Sequence, residues 1–108
     1  MSMSSKQETA ALCPRFHRAV ELIGRRWTGG IIRMLLAGPR RFNELLGAVP
    51  GLSDRLLTER LRQLEAEAII RREVLPGPPV AVTYTLTERG RELREPLDAI
   101  GRWAERWI

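Results

Sequence analysis

A chain of 108 residues with 44% hydrophobic residues is long enough for one domain with a real core and too short for two. One cysteine, Cys13, and one histidine, His17, exclude a disulfide-stapled secreted fold and a structural zinc site within one chain. The net charge of +5 is nearly all arginine, Lys6 being the only lysine; the guanidinium fork suits phosphates and guanine edges, although a GC-rich coding sequence gives the same excess.

No apolar run reaches the length of a bilayer span, and Met1-Ser2-Met3-Ser4-Ser5-Lys6 lacks the apolar stretch of a signal peptide. Residues 1–12 are expected as a flexible tail and residues 13–108 as the domain, in the cytoplasm. Cys13-Pro14 reads as a helix start, since a proline at the first helical position loses no hydrogen bond there. Phe16, Val20 and Ile23 recur at helical spacing, and Gly24 closes this helix. Thr28 is the expected N-cap of a second helix, with Ile31, Ile32, Leu35 and Leu36 inward and Gly38-Pro39 as the stop. Gly29 and Gly30 suggest close packing of Trp27 or another backbone. Arg40-Arg41-Phe42 is a short extended piece, and a third helix runs from Phe42 or Asn43 to about Val49.

After the Pro50-Gly51 turn, Ser53 is a strong N-cap, and Leu52 can staple onto Leu57 across it. The fourth helix carries an inward stripe of Leu57, Leu61, Leu64 and Ala68. At about 100° per residue, Arg55, Thr58, Glu59, Arg62 and Ala66 fall on the opposite side. Ile69 to Leu75 and Val80 to Leu86 read as two strands of a hairpin with a stiff Pro76-Gly77-Pro78-Pro79 tip. Thr87 caps the last helix, which Pro96 is expected to kink or break. Its face of Leu97, Ile100, Trp103 and Trp107 is too aromatic for so small a core and reads as a dimer interface. The resulting fold class is mainly α with a small β-hairpin (α+β), a winged helix-turn-helix with dimer-forming N- and C-terminal helices.

Particular residues resemble the HxlR family of bacterial winged helix regulators, relatives of the MarR group. They are Cys13-Pro14, Ile23-Gly24 with Trp27-Thr28, Gly38-Pro39-Arg40-Arg41-Phe42-Asn43-Glu44-Leu45, Ser53 with Leu57-Thr58 and Arg60-Leu61 through Leu64-Glu65, and Val82, Tyr84, Leu86-Thr87, Gly90, Leu93 and Trp103. Two departures stand out. Ala68 occupies the turn position where family members usually carry glycine, and the wing tip has no basic residue. The resemblance implies a homodimer built from the first and last helices, with Phe16, Val20, Leu97, Ile100, Trp103 and Trp107 at the interface. It also implies two recognition helices in successive major grooves of double-stranded DNA, and an oxidant- or electrophile-sensing role for the cysteine in some relatives.

In that frame Ser53 opens the recognition helix, whose N-terminal N–H groups can hold a phosphate. Arg55 and Arg62 are the candidates for base edges or phosphates, Thr58 for a thymine methyl or a phosphate, and Glu59 for accepting from cytosine or, the favoured role, for orienting Arg55 or Arg62. Arg40, Arg41 and Asn43 are expected on phosphates, as is one of Arg71 and Arg72 at the hairpin base. A thiolate at Cys13 would lie at a helix N-terminus beside Arg15 and His17 and could pair only with another subunit, a small thiol or an electrophile; equally, Cys13 is a small packed residue. No cofactor, metal or membrane partner is expected. An enzyme is not expected, since there is no glycine-rich phosphate loop, triad or metal cluster. Repression by occlusion is the simpler mode for so small a domain. Two alternatives remain open: a repressor induced by a small aromatic ligand among Phe16, Trp27, Trp103 and Trp107, and a winged-helix protein-interaction module that binds no DNA.

Overall fold

Leucines and isoleucines at helical spacing gather the chain around one cluster. The computed structural model describes residues 13–108, so the tail expected over residues 1–12 lies outside the described residues. The order is α1 (Pro14–Ile23), α2 (Thr28–Leu36), β1 (Arg40–Arg41), α3 (Phe42–Ala48), α4 (Asp54–Ala66), β2 (Ile70–Leu75), β3 (Ala81–Leu86), α5 (Glu88–Arg91) and α6 (Arg94–Trp107). Ile31, Ile32 and Leu35 of α2, Leu45 of α3 and Leu57, Leu61 and Leu64 of α4 meet Ile69, Ile70 and Leu86 at the sheet. Each such side chain contributes roughly 1.5–3 kcal/mol on burial. Leu52 is buried in the same cluster as Leu57, as a staple requires. No described helix is long and apolar enough to cross a membrane.

The expected hairpin gains a third strand. Arg40–Arg41 pairs antiparallel with β3, giving the order β1-β3-β2 with β3 in the centre. Two residues carry too little periodicity to announce a strand; pairing with β3 makes them one. α3 ends at Ala48, with Val49 extended beyond it. Glu44 in the first turn of α3 accepts from the Arg41 N–H at 2.8 Å, which ties strand to helix.

Thr28 is not an N-cap. Trp27 holds that position in the left-handed region at φ 76°, and Thr28 is the first helical residue, 2% exposed. Trp27 does not pack on Gly29 or Gly30: a Cβ at Gly29 would meet another backbone, the Ile23 carbonyl oxygen at 3.8 Å, and one at Gly30 would meet nothing within 4 Å. Its ring lies instead against Gly51, where a Cβ would stand 3.7 Å from it, and Arg26 sits over the ring at 4.7 Å.

The end of α4 corrects the stripe expected there. Ala68 is exposed, beyond the helix, at φ 58°. The Ala68 N–H donates to the Glu65 carbonyl and the Ile69 N–H to the Leu64 carbonyl, both at 2.9 Å. This is a Schellman closure, whose left-handed residue is usually glycine. An L-side chain there costs about 1–2 kcal/mol. Ala68→Gly is therefore expected to raise stability by about 1 kcal/mol, after the entropy of the unfolded glycine is subtracted. Urea unfolding checks this; an unchanged or lower midpoint would mean that Ala68 carries no strain.

The last helix is broken, as expected of Pro96: the break falls at Glu92–Leu93, where the proline ring would clash with the carbonyl four residues back. Pro96 itself then sits in the first turn of α6, where a missing N–H breaks no ladder bond. Leu97 faces inward and is 6% exposed, a core residue and not an interface one.

Candidate nucleic-acid interface

Ser53 terminates the turn before α4 and accepts from the Leu56 N–H at 3.1 Å. Asp54 follows in the first turn, where a carboxylate complements the helix dipole. With Leu57, Leu61 and Leu64 buried, the opposite face is turned outward. Asp54, Arg55, Thr58, Glu59, Arg62 and Gln63 line one open groove along it. Four of the expected contact residues are thus brought together, with Ser53 at their head. The Thr58 hydroxyl donates to the Asp54 carbonyl at 2.8 Å, so its donor is spent on the helix. Glu59 does not orient Arg55 or Arg62: its ion pair is with Arg60, at 3.9 Å.

Arg60 is a structural residue that periodicity did not single out. Its side chain is only 14% exposed. Its Nε donates to the Arg26 carbonyl at 2.9 Å and its Nη1 to Gln63 Oε1 at 3.2 Å. A second tie runs from α1, where Arg18 donates to both carboxylate oxygens of Glu67 at 2.9 and 2.7 Å. These links join the outward helix to α1 and its loop.

Strand parity separates the remaining arginines. Ile70 and Leu86 are buried opposite each other, so Arg72 and Tyr84, two residues along each strand, share their face. Arg72 and Tyr84 accordingly line a cleft with Thr58, Leu61, Arg62 and Glu65 of α4. Arg71 points to the other face and pairs with Glu73 at 3.5 Å. Arg40 is opposite Tyr84 and so on its face, whereas Arg41 is opposite Thr83 and exposed. Asn43 is exposed in the first turn of α3. Alternation from the buried Ile70 was the signal that distinguishes Arg72 from Arg71.

Away from this face, Phe16 and Val20 of α1 and Ile100, Trp103 and Trp107 of α6 are exposed. Trp27 does not join them, since its ring is taken up by Gly51. Cys13 occupies the N-cap of α1 and is partly exposed. The His17 imidazole is 4.0 Å from Glu21, one turn further along α1. Among the described residues there is no metal-ligand cluster.

The HxlR-like helix-turn-helix family matches residues 22–108. Over 96 residues the chain is 43% identical to the HTH-type transcriptional regulator YodB of Bacillus subtilis (strain 168), covering 89% of this chain and 86% of that protein. The reduced form of YodB superposes with a TM-score of 0.82 over 89% of this chain and 94% of that one. A quinone-bound form of YodB superposes with a TM-score of 0.78 at 40% identity, over 88% and 99%. The redox regulator HypR in its reduced form gives a TM-score of 0.80 at 36% identity, over 84% and 90%.

Proposed function

The chain belongs to the HxlR-like helix-turn-helix family of transcriptional regulators, and on that premise we propose that it is a homodimeric repressor that reads a pseudo-palindromic operator in double-stranded DNA. The observation that carries this reading is the outward face of α4, where Arg55, Thr58 and Arg62 line one groove on a helix locked into the core by three buried leucines. Arginine set bidentate on guanine discriminates by about 1–3 kcal/mol. Thr58, its hydroxyl donor spent, offers a methyl group to thymine. Arg40, Arg41 and Asn43 supply phosphate contacts that position the protein without reading sequence. Two copies joined through α1 and α6 would set two α4 helices about one DNA turn apart.

Cys13 is the candidate sensor of oxidants or electrophiles. It is partly exposed at the start of α1, the element tied to the end of α4 through Arg18 and Glu67. YodB in its quinone-bound form and HypR as a redox regulator supply the chemical class.

Fluorescence anisotropy on a duplex from the region upstream of the coding sequence, against excess random duplex, tests the reading. Specific binding is expected to survive competitor and to fall on the order of a thousandfold between about 50 and 200 mM salt, if the dimer makes ~6 phosphate contacts. Arg55→Ala should weaken the specific duplex about 10- to 100-fold and the random one less, from 1–3 kcal/mol of lost discrimination; equal losses make Arg55 a phosphate anchor. In the same assay diamide or a quinone should release the wild type and leave Cys13→Ser bound. Release of both forms alike removes the sensing role.

A further inference from the structure

Arg62 and Arg72 belong to different elements, yet both line one cleft between α4 and the sheet. Across β1, β3 and β2 the residues Arg40, Tyr84 and Arg72 stand in one row, paired Arg40 with Tyr84 and Tyr84 with Arg72. Directly opposed residues of antiparallel strands share a face, so Arg40 and Arg72 leave their strands on the same face as Tyr84, and of the two Arg72 lines the cleft with α4. Among the described residues, Arg40, Arg62 and Arg72 have no acidic partner within 4 Å. Arg40 Nε is buried without a hydrogen-bond partner, an unmet donor of a kind folded proteins rarely keep. The neighbouring Arg71, on the other face, does have its carboxylate.

Like charges drawn together without a counter-charge repel. Glu65 lines the same cleft and opposes an anion, but it is one carboxylate against the guanidiniums of Arg62 and Arg72. We infer that the α4–sheet cleft is an anion site for a single phosphate, gripped by Arg62 from the helix and Arg72 from the wing, with Tyr84 as its wall and Arg40 adding positive charge behind it. Guanidinium forks grip phosphate oxygens in pairs. Assigning that phosphate to the DNA backbone rests on the proposed function above; the affinity of the cleft for phosphate does not. On DNA, the site joins the wing base to the recognition helix through one backbone group. It gives the wing a contact at its base that its uncharged, proline-rich tip does not supply.

Two measurements on the full chain separate these statements. In the first, inorganic phosphate is titrated at constant ionic strength while the arginine Nε–Hε resonances are followed by NMR. Arg62 and Arg72 are expected to shift and Arg71 to stay. The shift of Arg62 is expected to vanish in Arg72→Gln, an exposed substitution whose folding a thermal melt verifies. Absence of shifts, or equal shifts at Arg71, overturns the anion site. In the second, binding to a duplex is measured across a salt series. Arg72→Gln is expected to weaken all duplexes about tenfold and to reduce the slope of log affinity against log salt by about 0.9 for each protomer, with Arg71→Gln unchanged. If phosphate is bound but Arg72→Gln leaves the slope intact, the site serves a free anion and its DNA role is overturned. If the wild type binds no duplex at all, the DNA-binding reading fails while the phosphate titration still decides the site.

Discussion

Gly90→Ala is expected to destabilise the fold by about 2–3 kcal/mol, lowering the melting temperature by roughly 10–20 °C for a domain of this size. A Cβ at Gly90 would lie 2.2 Å from the Ile69 carbonyl oxygen, 3.1 Å from its carbon and 3.0 Å from Leu86 Cδ2. The Ile69 contacts are with backbone atoms, so no rotamer change relieves the clash. The Ile69 carbonyl is also held: it accepts from the Thr87 N–H at 3.0 Å, while the Thr87 hydroxyl donates to the adjacent Ala68 carbonyl at 2.6 Å. That hydroxyl oxygen in turn accepts from the Gly90 N–H at 3.1 Å. Moving Ile69 would disturb the closure of α4 directly before it. Gly47 is the control, exposed in α3, where an added Cβ would meet nothing within 4 Å. Gly47→Ala should stabilise by roughly 0.5–1 kcal/mol, because alanine loses less entropy in a helix. Thermal melts of the two variants check the contrast; similar melting temperatures would show that the backbone around Ile69 yields freely.

In the DNA-binding homodimer proposed above, Trp103→Glu is expected to convert the dimer into a monomer and to weaken duplex binding by about 10²–10⁴-fold, the loss that follows when two linked contacts become one. Trp103 and Trp107 are 58% and 63% exposed in the protomer and lie one turn apart on α6, with Ile100 on the preceding turn. Phe16 and Val20 present a second apolar strip on α1, a helix that buries none of its own residues fully. A tryptophan covers about 150–250 Å² when buried, and at about 25 cal/mol per Å² of apolar area that is several kcal/mol. A carboxylate in its place leaves an unpaired charge in the interface. Within the protomer the substitution should cost little, since the ring is mostly in solvent there. Sedimentation velocity and anisotropy read the two effects together. A variant that still sediments as a dimer, or a wild type that sediments as a monomer, would place the interface elsewhere or remove it.

The parts of this fold that were legible in the sequence are those decided within about four residues. Ser53 and Thr87 cap α4 and α5 because a hydroxyl reaches an N–H three residues on. Leu57, Leu61 and Leu64 face inward because helical periodicity leaves them one stripe, and that stripe in turn exposes Arg55 and Arg62. Gly24 and Pro14 bound α1 for equally local reasons. The aromatic excess on α6 was visible too, because too few residues exist to cover it.

Tertiary structure decided the rest. Arg40–Arg41 became a strand only by pairing with β3, which lies far along the chain. Thr28 went under the core and Leu97 joined it because the neighbouring elements closed over them. Glu59 took Arg60 as its partner where helix spacing also allowed Arg55 or Arg62. The convergence of Arg62 with Arg72 needed both the sheet parity and the packing of the sheet on α4. Periodicity tells which way a side chain points from its own element; what it meets there depends on how the elements pack, and that is settled only when the chain closes on its core.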